Sequence, residues 1–190
     1  MIITIGRQCG CNGDEVGRVL ADLYQIPLYD KHAMVEAAKD KGIFSRMPNF
    51  FSENPVNSML YAIAEGEYEM EIRKVPLKAL KEVINDTSFV VIGRCGNYVF
   101  KDAKNVCRVF LTGSMESRIH TIMEKHNLSE KKAKELIEKT DNKRSSFQNY
   151  YTGETWGNAA GYDICLDISK LGIEGTVHMI QEYSQSIGIL

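Results

Sequence analysis

The stretch "IITIGRQCGCNGDEVGRVLADL", residues 2–23, decides how this chain folds. Ile2 to Ile5 is a β-branched run too short for a helix and bounded by Gly6, which reads as a buried strand. Gly10 and Gly13 punctuate a loop. From Asp14 onward, Val16, Val19, Leu20 and Leu23 recur at helical spacing and stop before Pro27, with Asp14 as the amino-terminal cap or a first-turn acid. In a strand, glycine loop and helix in succession, backbone amides can face an anion while the helix end adds partial positive charge. A tight strand-to-helix turn with no ligand explains the same glycines equally well.

Outward from there, "IPLYD" (26–30) reads as a second short strand and 31–40 as a helix. Residues 41 to about 56 mix Gly, Pro, Ser and Asn with exposed-looking Phe44, Phe50 and Phe51, which suggests a loop packed by aromatics. A long helical stretch, 57–85, follows, interrupted by Gly66 and kinked at Pro76. "FVVIG" (89–93) and "VCRVFL" (106–111) are two more buried strands. Helices are expected over 114–125 and, capped by Ser129, to about Arg144. "YYTGETWGNAAG" (150–161) reads as a loop, "YDICLDI" (162–168) as a fifth strand and 173–183 as a closing amphipathic helix.

Strands alternating with helices imply right-handed crossovers and a parallel sheet covered on both faces. Ligands of such sheets sit beyond the carboxyl ends of the strands. The loops after Ile5, Tyr29, Gly93, Leu111 and Ile168 therefore share one functional rim.

The chain has 190 residues, enough for one domain of ordinary size with an insertion. Its net charge of -2 argues against a broad nucleic-acid footprint, so no nucleic-acid partner is expected. The five cysteines are odd in number and lack paired metal spacing, which reads as reduced thiols. No apolar run approaches the ~20 residues a membrane span needs, and no signal pattern opens the chain. The expected compartment is the cytoplasm, with no membrane partner.

Five ordered stretches, "GRQCGCNGDEVG", "IPLYD", "GRCGNYVF", "KTDNKRSSFQNYYTGETWG" and "YDICLDISKLGIE", carry a more specific signal than the loop alone. They resemble the cytidylate kinase-like family of P-loop proteins, whose members typically read "SRxYGSGGxEIG", "IPxYD", "GRCA", "TDxxR" and "YYTGxxWG". The resemblance spans nearly the whole chain. It implies a P-loop NTPase fold, three α/β/α layers around a five-stranded parallel sheet of order 2-3-1-4-5. A helical acceptor-side insertion (41–86) and a lid (129–160) belong to the same single domain, 1–190. It also implies ATP and Mg2+ as cofactors, and phosphoryl transfer to a nucleoside monophosphate.

Carried over by position, Gly10, Cys11, Asn12 and Gly13 form the phosphate-cradling turn, with Asp14 and Glu15 after it, and Arg7 matches a family arginine just before it. Asp30 and Lys31 stand where the acceptor site begins. Arg94 resembles the arginine that grips the acceptor phosphate, and Cys95 replaces an acid found beside it in related kinases. Arg118, Asp141, Lys143 and Arg144 resemble the lid constellation, where cations neutralise the transferring group. Without the motif, Arg118 and Lys143 read as solvated surface charges. Trp156, Tyr150 and Tyr151 suit stacking on a base or anchoring the loop to the core.

One departure matters most. In the common loop "GxxxxGK[ST]" lysine reaches the β- and γ-phosphates and the hydroxyl binds magnesium. The family this chain resembles also lacks that lysine, but most of its members place a basic residue where Asp14 stands; here Gly13 stands at the lysine, followed by Asp14 and Glu15. A carboxylate ~5 Å from a phosphate oxygen costs about 3 kcal/mol at an effective dielectric near 20, more than the ~0.3 to 1 kcal/mol of a helix terminus. Either Mg2+ bridges Glu15 or Asp14 to the phosphates, or Arg7 intervenes, or Asp14 caps the helix and fills the anion site itself. The first two predict a kinase acting on a nucleotide or another small acceptor. The last predicts a regulatory pseudokinase whose long helix serves a partner or a second copy as a homodimer.

Overall fold

The structure, a computed structural model, describes residues 1–52 and 67–189. Five strands, β1 (Ile2–Arg7), β2 (Leu28–Tyr29), β3 (Phe89–Ile92), β4 (Val106–Thr112) and β5 (Ile164–Asp167), form one sheet of order β2-β3-β1-β4-β5. All four pairings are parallel, with Ile3 opposite Val90 and Cys107 at the centre. The sheet expected from the resemblance is present, strand for strand.

Both faces are covered because the central strands are apolar on both sides. On one face Ile3, Ile5, Val90, Ile92, Val109 and Leu111 meet Val16 and Leu20 of α1 (Gly13–Tyr24) and Val177 and Ile180 of the last helix. On the other, Phe89 and Val91 meet Met34 and Ala38 of α2 (Lys31–Asp40), Leu77 and Leu80 of α3 (Glu67–Val83) and an aromatic group. A smaller cluster, Cys9, Ile122, Ala133 and Ile137, joins the loop after β1 to α4 (Met115–His126) and α5 (Glu130–Thr152).

Three expectations need correction. Phe50 and Phe51 are not exposed; they leave 1% and 0% of their surface accessible, on the helical turn Pro48–Phe51. Phe50 stacks on Phe147 at 5.6 Å and meets Tyr151 edge-on at 5.0 Å. The helix expected to stop near Arg144 runs two turns further, because Phe147 and Tyr151, four residues apart, face that cluster, and it stops at Gly153 in the left-handed conformation (φ 72°). The closing helix, α6 (Ile168–Ser186), starts directly after β5 under an Asp167 cap and is interrupted at Gly172 (φ 65°). Of the expected helix over 57–85, residues 57–66 lie outside the described residues; Glu67–Val83 is helical through Pro76. No helix among the described residues is long and apolar enough to cross a membrane.

Candidate functional site

The loop between β1 and α1 is held from three sides. Gln8 donates its amide to Leu111 O at 2.9 Å, and its side-chain Oε1 accepts from Thr112 Oγ1 at 2.7 Å and Gly113 N at 3.2 Å. Arg118 Nε donates to Cys9 O at 2.7 Å, and Cys9 N donates to Asp141 Oδ1 at 2.7 Å. Arg118 and Asp141 are themselves ion-paired. Arg144 Nη1 donates to Arg7 O at 3.1 Å. Both polar atoms of the Cys9 peptide unit are thus fixed by a pair bridging α4 and α5.

Sterics require glycine where the loop meets its neighbours. Gly10 has φ 86°, and a Cβ there would lie 2.8 Å from Arg118 O; at Gly13 a Cβ would lie 2.8 Å from Arg7 Cγ. Asn12 (φ 48°) occupies the cap of α1 without a capping side-chain hydrogen bond. Asp14 is therefore a first-turn acid and not the cap, and both Asp14 and Glu15 are exposed. The amides of Glu15 and Val16 both donate to Asn12 O at 3.0 Å, which closes the first turn of α1 directly after the loop.

That groove, of about 150 Å³, is lined by the loop residues Arg7 to Asp14, by Ile122, Lys125 and His126 of α4, and by Arg144. Beside it lies a wider cleft of about 780 Å³ between α1, α2 and α5. Six cations line it, Arg7, Arg18, Lys31, Lys39, Lys143 and Arg144, against Asp14, Asp30 and Glu36. Val35 and Phe147 add apolar lining. Arg7, Asp14 and Arg144 line both spaces, so the two meet on these three side chains.

The structure separates the residues singled out from sequence. Gly10, Cys11, Asn12 and Gly13 line the groove; Asp30, Lys31 and Lys143 line the cleft; Arg7, Asp14 and Arg144 line both; Glu15 lines neither. Asp30 caps α2, accepting from His32 N and Ala33 N at 2.9 Å each. Arg118 and Asp141 line neither space and engage the loop backbone. Arg94, with 1% of its surface exposed, lies outside the large cleft; its Nε and Nη2 donate to Phe51 O at 3.0 and 2.6 Å. Burial pushes the Cys11 thiol up to about 12 and raises that of Cys9, which keeps both neutral in the loop.

Sequence reasoning missed Arg18, Lys39, Thr140, Lys125 and His126. Helical spacing carried the signal: Lys31, Val35 and Lys39 recur every fourth residue on α2, and Thr140, Lys143, Arg144 and Phe147 form one face of α5.

Among the described residues no group of three or more His, Cys, Asp or Glu is arranged to hold a metal. Among the described residues Asp14 is the one carboxylate shared by groove and cleft. A single carboxylate fits Mg2+, which keeps several waters and is commonly bound by one or two carboxylates plus substrate phosphates.

Comparison with solved structures gives three informative relatives. An uncharacterized protein from Eubacterium ventriosum is 29% identical, covering 98% of this chain and 99% of its own, with a TM-score of 0.74. A gluconokinase from Sinorhizobium meliloti (12% identity, 97% and 91% covered, TM-score 0.56) and a shikimate kinase from Bacteroides thetaiotaomicron (14%, 97% and 98%, TM-score 0.52) share the fold alone. No curated protein matches the chain. The model of the family described as "Cytidylate kinase-like family" matches residues 2–170. With that match over most of its length, and a five-stranded P-loop kinase fold beneath it, the chain belongs to the cytidylate kinase-like family.

Proposed function

We propose that the chain is a phosphotransferase that moves the γ-phosphoryl group of ATP onto a small anionic acceptor, with a nucleoside monophosphate such as cytidylate as the first candidate. The observation that carries this reading is the meeting of groove and cleft on Arg7, Asp14 and Arg144. A polyphosphate along the loop and an anionic acceptor in the basic cleft would bring donor and acceptor oxygens together at those two guanidiniums. An acceptor oxygen attacks the γ-phosphorus, the bond to the bridging β,γ-oxygen breaks, and ADP leaves. Arg7 and Arg144 spread the charge of the transferring group, which is where such catalysis gains most.

The two acids of the loop then have different readings. Asp14 faces the reacting space and suits a magnesium contact, through which the ion would neutralise charge between the phosphates; Glu15 lies outside both spaces. A carboxylate ~5 Å from phosphate costs about 3 kcal/mol, and each guanidinium at like distance returns a similar amount, so two cations reverse the sign. On this reading the loop tolerates its acid because Arg7 and Arg144 line the same two spaces as Asp14. The form of pseudokinase in which Asp14 caps the helix and blocks the site finds no support in that exposed side chain.

The test is ADP release with MgATP and each common nucleoside monophosphate, followed by a panel of phosphorylated and carboxylated small acceptors. Turnover with one of them, reduced at least 100-fold in Arg144→Ala, is expected. Absence of turnover with every nucleoside monophosphate sinks the nucleotide form; absence with all acceptors sinks the kinase.

A further inference from the structure

Position 13, where the common loop has lysine, has no room for a side chain: its Cβ would meet Arg7 Cγ at 2.8 Å. A cation over the loop must therefore come from elsewhere; besides Arg7 and Arg144, the groove takes its cationic lining from α4, against whose Arg118 backbone Gly10 packs. Arg118, Ile122 and Lys125 stand at i, i+4 and i+7, one face of that helix. Arg118 is committed to Cys9 O and Asp141, and Ile122 is buried in the small cluster with Cys9, Ala133 and Ile137. Lys125 is the first position on this face past the packed part; it is exposed and lines the groove with Arg7 to Asp14. It also sits in the last turn of α4, where a cation is favoured. Its neighbour His126 lines the groove as well, but a lysine ammonium sits on a four-carbon stem long enough to follow a ligand.

We propose that Lys125 replaces the missing loop lysine, binding from α4 the terminal phosphates of a polyphosphate held along Gly10 to Asp14. This rests on the kinase reading and adds a residue that neither the family motif nor the loop sequence points to. Lys125 lines the groove but not the acceptor cleft, so it acts on the donor alone.

Titration calorimetry of MgATP and of inorganic tripolyphosphate into the native chain, Lys125→Gln, Lys125→Arg and Lys132→Gln tests it. Lys132 is an exposed lysine on α5 outside both spaces and controls for the loss of one charge. Lys125→Gln should weaken both probes at least about tenfold, a change of about 1.4 kcal/mol. Lys125→Arg should stay within about threefold of native, and Lys132→Gln should leave binding unchanged, all at native melting temperature. Native affinity in Lys125→Gln overturns the inference and leaves the kinase reading standing. Equal weakening in Lys125→Gln and Lys132→Gln overturns it in favour of a diffuse field. A native chain that binds neither probe overturns the kinase reading and this inference together.

Discussion

Arg118 and Asp141 show how a charged pair that reads as chemistry in sequence becomes architecture in three dimensions. Both polar atoms of the Cys9 peptide depend on them. Removing one partner leaves the other charge poorly solvated, so Arg118→Ala should lower unfolding free energy by about 3 kcal/mol in urea denaturation, and Asp141→Asn by less. A loss below about 0.5 kcal/mol for Arg118→Ala would mean that the pair braces nothing. Asp30 poses the complementary case, since it both caps α2 and lines the basic cleft proposed to hold the acceptor. Asparagine caps as well as aspartate, whereas Asp30→Ala costs about 1 kcal/mol. Asp30→Asn should thus keep the native melting temperature, and any activity it loses reports on the acceptor. Their sequence neighbourhoods identified both residues as interesting; only their hydrogen bonds divide support from ligand contact.

At the scale of elements, the loop and α4 act as one unit because Gly10 packs against the Arg118 backbone. Gly10→Ala meets two penalties, a left-handed φ that disfavours a Cβ by roughly 1–2 kcal/mol and a contact with backbone that cannot swing aside. It should destabilise the chain by more than 1 kcal/mol and weaken MgATP binding together; a variant that loses neither would show that loop and helix are not coupled. The same glycine was legible in the sequence, but as a strand-to-helix punctuation mark and not as a contact with a helix a hundred residues away. The extension of α5 to Thr152 was hidden for a related reason. "YYT" looks like the start of a loop, and its helical state follows from Phe147 and Tyr151 reaching Phe50, a contact between distant segments. Phe50→Ala should cost about 3–5 kcal/mol in thermal or urea unfolding, the range for a buried aromatic; a cost under 1 kcal/mol would refute the clustering.

For the whole molecule, four of the five thiols are buried and one, Cys165, is exposed. A thiol reagent at pH 8 should titrate one group in the native chain and five after denaturation. Burial pushes Cys107 up to about 11, Cys11 to about 12 and Tyr29 to about 12, from ordinary values of 9.0 and 10.0. The folded chain keeps these protons at a pH where the unfolded chain releases them, so their contribution is full below about pH 9 and falls as pH rises towards 11–12. Equilibrium unfolding followed from pH 7 to 11 should show stability declining only above about 9; a flat profile would contradict the burial. What the sequence determined by itself was the order of strands and helices, the parallel sheet and the glycine loop between the first strand and first helix, because apolar periodicity and glycine placement are local properties written in consecutive residues. What only the tertiary structure decided was the division of labour among the charges. Whether Arg118 supports the loop, whether Asp14 lines groove and cleft while Glu15 lines neither, and whether Lys125 lines the groove depend on side-chain direction and long-range packing, which no local pattern encodes.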